Sequence, residues 1–89
     1  MALWASIGSA VRMAYEKKDT LYFRRLGNRM RNLREGLGVS QEDFSYRCGL
    51  HRTYYGAVER GERNVSVLNL RKISEALGVS LSDLFEGIH

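Results

Sequence analysis

Proline is absent from this chain, and cysteine and histidine are scarce, with one Cys and two His among 89 residues. Without proline, segments end at glycines rather than at ring-imposed kinks. Nine glycines punctuate the periodic apolar stretches, a pattern that favours short helices over a sheet. The lone Cys48 excludes an internal disulfide, and His51 and His89 stand too isolated for a metal site. No apolar run approaches the ~20 residues of a membrane-spanning helix. The opening MALWASIGSAVRM has an apolar stretch but no charged region before it, which reads against a signal peptide. No Ser/His/Asp, Cys/His or paired-carboxylate constellation occurs, and a chain this short has little room for a substrate pocket. Cys48, beside Gly49, reads as a small buried hydrophobe rather than a nucleophile. The expectation is one cytoplasmic domain that is not an enzyme, with no cofactor, no metal and no membrane partner.

Charge is present in quantity and unevenly placed. Residues 1–34 carry eight Lys/Arg against Glu16 and Asp19, a net of +6, whereas residues 35–89 carry a net of −2. Such asymmetry points to a polyanion on one side of the molecule. It is equally the signature of a solvated, arginine-rich helix face.

The apolar spacing predicts five helices. Leu26, Met30, Leu33 and Leu37 step by 4, 3 and 4, one face of a helix over Leu21 to Leu37. Arg24, Arg25, Arg29 and Arg31 fall off that stripe, and Gly36 and Gly38 end the helix. Ser40-Gln41-Glu42-Asp43 resembles a capping box that opens a second helix, with Phe44 and Cys48 on its buried side. Gly49 permits a left-handed backbone and a sharp turn. A third helix runs from about His51 to Arg60 and stops at Gly61. Ser66 caps a fourth with Leu70, Ile73 and Leu77 inward, and Ser80-Leu81-Ser82-Asp83 caps a short fifth. Residues 1–20 form an extension before a domain at 21–89. In it Leu3 or Trp4, Ile7, Val11 and Ala14 or Tyr15 recur at helical spacing, an amphipathic helix that wants a partner surface.

Two short helices joined by a tight glycine turn make a helix-turn-helix. In that arrangement the second helix enters the major groove and the first crosses the backbone. The stretch GLHRTYYGAVERGERN then makes sense. Arg52 can offer a bidentate fork to guanine, and Thr53 a hydroxyl or a methyl. Gly56 and Ala57 are expected to continue the exposed face with little side chain, letting backbone approach DNA. Tyr55 and Val58 would pack on the second helix, leaving Tyr54 to touch a phosphate or base. Gln41, at a helix N-terminus, suits a phosphate. Arg63 and Asn64 would hold phosphates on the other flank, unless Arg63 enters a groove.

LREGLGVSQEDFSYRCGL, HRTYYGAVERGERN and LRKISEALGVSLSDLF together resemble the phage-repressor and Cro-like (Xre-type) helix-turn-helix regulators over about residues 24–86. GLHRTY…ERGERN looks most like the controller proteins of restriction–modification systems. The resemblance implies an all-α, five-helix, lambda-repressor-like domain, to which the extension adds a helix. It implies a homodimer on a two-fold symmetric operator in double-stranded DNA, as repressor or activator. It places Arg52, Thr53, Tyr54 and Ala57 on the base-reading face and Gln41, Arg63 and Asn64 at the backbone. It pairs Arg34 with Glu59 and gives dimerisation to the last two helices, where Leu81, Leu84, Phe85 and Ile88 are the candidates. Ser45 and Tyr55 depart from the family's usual small apolar residue and Ile or Val.

A competing function is an antitoxin- or adaptor-like interaction module, motivated by the apolar first residues. Glu42 and Asp43 can either touch RNA polymerase, in an activator, or simply serve the helix dipole.

Overall fold

The computed structural model describes residues 15–89, so the expected helix within residues 1–14 lies outside the described part. Five helices follow in order: α1 (Lys17–Gly36), α2 (Gln41–Cys48), α3 (Arg52–Glu59), α4 (Val67–Leu77) and α5 (Leu81–Leu84). No strand occurs among the described residues. Serine caps open three of them. Ser40, Ser66 and Ser80 accept from the backbone N–H of Asp43, Asn69 and Asp83 at 3.1, 3.2 and 3.0 Å. Each such cap contributes about 1 kcal/mol by satisfying a donor the helix cannot.

The first helix starts earlier than the apolar stripe suggests. Glu16 N–H donates to Asp19 Oδ2 at 3.1 Å, and the backbone N–H groups of Asp19 and Thr20 already bond the Glu16 carbonyl. Tyr15 meets Phe23 edge to face, with centroids 5.1 Å apart. Residues 17–20 therefore belong to α1, a signal carried by polar capping that hydrophobic spacing misses.

The core draws on every helix: Leu26 and Met30, Phe44 and Cys48, Tyr55 and Val58, Leu70, Ile73 and Leu77, and Leu84. Met30 and Ile73 are wholly buried, and such side chains are each worth ~1.5–3 kcal/mol. Phe44 and Tyr55 pack at 5.1 Å with planes tilted by 50°, so the unusual Tyr55 serves as the ring that joins α2 to α3. Ser45, the other departure, is buried with its hydroxyl donating to the Glu42 carbonyl at 2.7 Å, which meets its polar requirement locally. The stripe on α1 needs one correction. Leu37 is 49% exposed beyond the helix end, and the buried position one turn after Met30 belongs to Arg34.

Two glycines let α1 lie against the end of α3. A Cβ on Gly27 would run into the Glu59 carbonyl and sit 2.7 Å from Val58 O, both backbone. Gly61, at φ +75°, ends the α3 segment in the left-handed region, and a Cβ there would lie 2.7 Å from the Arg24 backbone. Only glycine meets both demands at position 61.

Candidate nucleic-acid interface

The α2–α3 turn is built by Gly49 at φ +71°, with Leu50 N–H returning to the Ser45 carbonyl at 3.0 Å. His51 then caps α3, its Nδ1 accepting from Thr53 N–H at 3.1 Å. Histidine is an uncommon cap, which is why sequence reading set this residue inside the helix rather than before it.

Beneath the helix pair lies a buried charge network. Arg34 Nε and Nη2 donate to the two Glu59 oxygens at 2.7 and 3.0 Å, and Arg34 Nη1 to the Val39 carbonyl at 2.8 Å. The Glu59 side chain is 2% exposed. Burial pushes its carboxyl up, but the hydrogen bonds from Arg34 and Gln41 outweigh burial and hold the net value below the usual carboxylate range. The Tyr55 hydroxyl, fully buried beside this carboxylate, is pushed up by burial first and by Glu59 second. The hydrogen bond to Glu59 pins the Arg34 guanidinium in its charged form.

Gln41 ties this network to the surface. Its Nε2 donates to Glu59 Oε1 at 2.9 Å, and to get there the side chain crosses Gly56. A Cβ on Gly56 would lie 3.2 Å from both Gln41 Oε1 and Arg60 Nη1. The expectation that Gly56 and Ala57 extend an exposed face is therefore corrected. Gly56 is covered by Gln41 and Arg60, and its missing side chain makes room for the glutamine rather than for DNA. Ala57 is 5% exposed and offers a base almost no surface. Tyr55 and Val58 are buried as well, leaving Arg52 and Thr53 as the exposed residues of α3.

Those two line an open cleft with Gln41, Glu42, Gly56 and Arg60. Arg52 pairs with Glu42 at 3.4 Å, but both side chains are about two-thirds or more exposed (68% and 73%). Such a pair is worth ~0–1 kcal/mol, so Arg52 is readily released to a stronger acceptor. Tyr54 is half-buried, and its hydroxyl accepts from Asn69 Nδ2 at 3.2 Å, which ties it to the start of α4. Arg63 and Asn64 are exposed in the loop after α3.

A second cleft adjoins the first, sharing Gln41 and Arg60 and adding Arg24, Asn28, Arg31 and Glu59. Sequence reading left these α1 arginines without a role, although the basic excess before residue 35 was their signal. Arg25 and Arg29 point elsewhere. Arg25 Nη1 donates to the His89 carbonyl at 3.2 Å and Arg29 Nη2 to the Asp83 carbonyl at 2.8 Å.

Of the four dimer candidates, Leu81 is 37% exposed and Phe85 and Ile88 are half-buried against the core. Leu84 is 0% exposed and is corrected to a residue of this chain's hydrophobic core. Val67 and Leu68 on α4, 72% and 63% exposed, are larger apolar surfaces than any of the four. Among the described residues no His, Cys, Asp and Glu cluster could hold a metal. Burial raises the Cys48 thiol to about 11, and the Sγ bonds the Phe44 carbonyl, leaving it unreactive. No helix of the described residues is long and apolar enough to cross a membrane.

Residues 30–84 match the family model described as Helix-turn-helix (HTH_3). Control protein C.MunI of Mycoplasma sp. is 51% identical over 65 residues, covering 72% of this chain and 88% of the relative. Control protein C.BamHI of Bacillus amyloliquefaciens is 48% identical over 61 residues, 67% of this chain and 75% of the relative. Among solved structures, the restriction–modification controller protein C.AhdI from Aeromonas hydrophila superposes with a TM-score of 0.69 at 44% identity, covering 71% of this chain and 96% of that one. The capped α2, the glycine turn, the exposed Arg52 and Thr53 and these relatives converge: the chain belongs to the Xre-type helix-turn-helix (HTH_3) family and is a DNA-binding transcriptional regulator of the controller-protein type, not an enzyme.

Proposed function

We propose that the protein acts as a homodimer on a two-fold symmetric operator, with α3 in the major groove and α2 across the backbone. The observation that carries this reading is the single cleft in which Arg52 and Thr53, at the α3 N-terminus, stand beside Gln41 at the start of α2. Arg52 reads a base, Thr53 a base or an adjacent phosphate, and Gln41 a phosphate through the N–H not given to Glu59. Tyr54 acts at the edge of this surface through its hydroxyl hydrogen. Arg63 and Asn64 hold the backbone on the far side. Leu81, Phe85 and Ile88, with the exposed Val67 and Leu68, supply the apolar surface of α4 and α5 that a second copy covers.

By analogy with the control proteins, its genes are those of a restriction–modification system. Contact with RNA polymerase would fall to Asp43, because Glu42 faces Arg52 in the DNA cleft.

Selection of binding sites from random duplex DNA tests this reading. A two-fold motif with half-sites about one helical turn, ~34 Å, apart is the expected product. No enrichment by a folded protein would replace it with the interaction-module reading, for which exposed Tyr15 and Leu21 near the start of α1 are the surface. On the selected operator, Arg52→Ala should cost ~1–3 kcal/mol and relax one base position. An equal loss on every sequence would move Arg52 to a phosphate.

A further inference from the structure

The two clefts already described do not end at Arg31 and Arg24. Arg24 also lines a third, with Lys17, Thr20, Leu21 and Tyr15. Gln41 and Arg60 join the first cleft to the second, and Arg24 joins the second to the third. One continuous surface thus runs from the base-reading end of α3 to the N-terminal end of α1.

The helix geometry explains the alignment. Lys17, Arg24 and Arg31 are seven residues apart, so at about 100° per residue they share one face of α1, and Thr20 and Asn28 flank them. From Lys17 to Arg31 this face is about 21 Å long at ~1.5 Å per residue. Its position is fixed. Gly61 packs on the Arg24 backbone and Gly27 on the last turn of α3, so α1 cannot slide along the recognition helix.

On α1, Lys17 and Arg24 have no carboxylate within 4.0 Å among the described residues, as is also true of Arg25, whereas Lys18, Arg29, Arg31 and Arg34 each have one. Arg25 is instead bonded to the His89 carbonyl. The Lys17 and Arg24 side chains are exposed. Both also precede residue 30, where the family match begins.

We infer that Lys17 and Arg24 form a phosphate track along α1 that extends the DNA backbone contact beyond the helix-turn-helix. The partner is the sugar–phosphate chain of the duplex bound by α3, so the inference rests on the DNA reading above. The track adds affinity and no sequence preference, because phosphates are alike at every base pair.

The test uses the full chain, the operator duplex recovered by selection and a mixed-sequence duplex, titrated across a range of potassium chloride. For Lys17→Gln/Arg24→Gln the slope of log K against log salt should become shallower by about 0.9 for each lost contact, hence by about 1.8 per protomer. The ratio of operator to mixed-sequence affinity should stay unchanged. Lys17→Gln alone, at the first helical residue and far from Gly61, should give about half the change and guards against a packing effect at Arg24. Lys18→Gln, on another face and paired with Glu16 at 3.5 Å, should leave the slope where it is.

An unchanged slope in both the double variant and Lys17→Gln overturns the track while leaving the operator reading intact. A fall in the affinity ratio at constant slope also overturns it, by making these residues base readers. No binding of either duplex by the unaltered chain overturns the track and the operator reading together.

Discussion

Arg24 and Arg31 on one side of α1, and Arg25 and Arg29 on the other, are the same residue type on the same helix, yet the fold uses them differently. The second pair is directed to the C-terminal segment, where it bonds the His89 and Asp83 carbonyls and approaches Glu86 at 3.8 Å. The first pair lines the cleft that contains Gln41 and Arg60. A count of charges along α1 cannot separate the two roles. The angular position can, because residues 24 and 31 fall together while 25 and 29 fall about 100–160° away from them. Basic charge in a sequence thus marks a candidate polyanion site only after the residues that tie the fold together are removed from it.

The largest test of this division removes what holds both faces in place. Glu59→Ala leaves Arg34 buried without its partner and frees Gln41. Breaking a buried pair from one side costs ~3–5 kcal/mol, a large part of the stability of a domain this size. Urea unfolding should show that loss. The same carboxylate predicts a pH dependence. Its folded pKa lies below its unfolded one, so its stabilisation is complete above the unfolded carboxylate range and is lost as pH falls through the folded value. The acid limb of the stability profile should therefore be flatter in Glu59→Ala than in the unaltered chain. An equally steep limb would assign acid sensitivity to other carboxylates.

Gly27→Ala comes next. Its new methyl would meet backbone atoms of Val58 and Glu59, which cannot swing aside as a side chain can. Overpacking of this kind costs ~1–3 kcal/mol, more than the gain alanine brings to a helix. It should also tilt α1 and so weaken DNA binding with the melting temperature. A rise in stability would mean that α1 lies farther from α3 than these positions place it.

How far the sequence reached is visible at particular residues. Ser40, Ser66 and Ser80 as caps, and Gly49 and Gly61 as turns, follow from local chemistry that tertiary packing does not alter. The core of α4, Leu70, Ile73 and Leu77, follows from spacing alone. The errors arise where a residue's role depends on a neighbour distant in the chain. Leu84 reads as a surface leucine until α1 and α4 close over it. Ala57 reads as exposed until helix packing leaves it 5% accessible. Gly56 reads as an opening for DNA until Gln41, fifteen residues earlier, is seen to cross it on the way to Glu59.

A milder pair of substitutions sharpens the comparison of arginines directly. Arg29→Gln removes a 2.8 Å charge-assisted bond to the Asp83 carbonyl from a side chain only 31% exposed. It should cost about 1 kcal/mol of stability and leave the salt dependence of DNA binding unchanged. Arg31→Gln removes only an exposed pair with Glu35, so melting should hardly move. If the cleft faces DNA, its salt slope should become shallower. The reverse assignment of effects would exchange the two faces.

Gly56→Ala should give the smallest change in stability, and its sign is informative. Alanine gains about 1 kcal/mol over glycine in a helix interior. Against this, the added methyl would sit 3.2 Å from Gln41 Oε1 and Arg60 Nη1, a few tenths of an ångström too close. Arg60 is an exposed side chain and yields easily. Gln41 yields only by loosening its bond to Glu59, at a cost of roughly 0.5–1.5 kcal/mol. The two effects nearly cancel, so thermal unfolding should shift little while DNA affinity falls, because the displaced glutamine no longer presents its second N–H in the same place. Gln41→Ala provides the control. In that background Gly56→Ala meets no glutamine, so the helix gain should appear in full and the added loss of DNA affinity should vanish. If Gly56→Ala lowers DNA affinity just as much without Gln41, the glycine serves close approach of the helix backbone to DNA, and the glutamine only happens to lie above it.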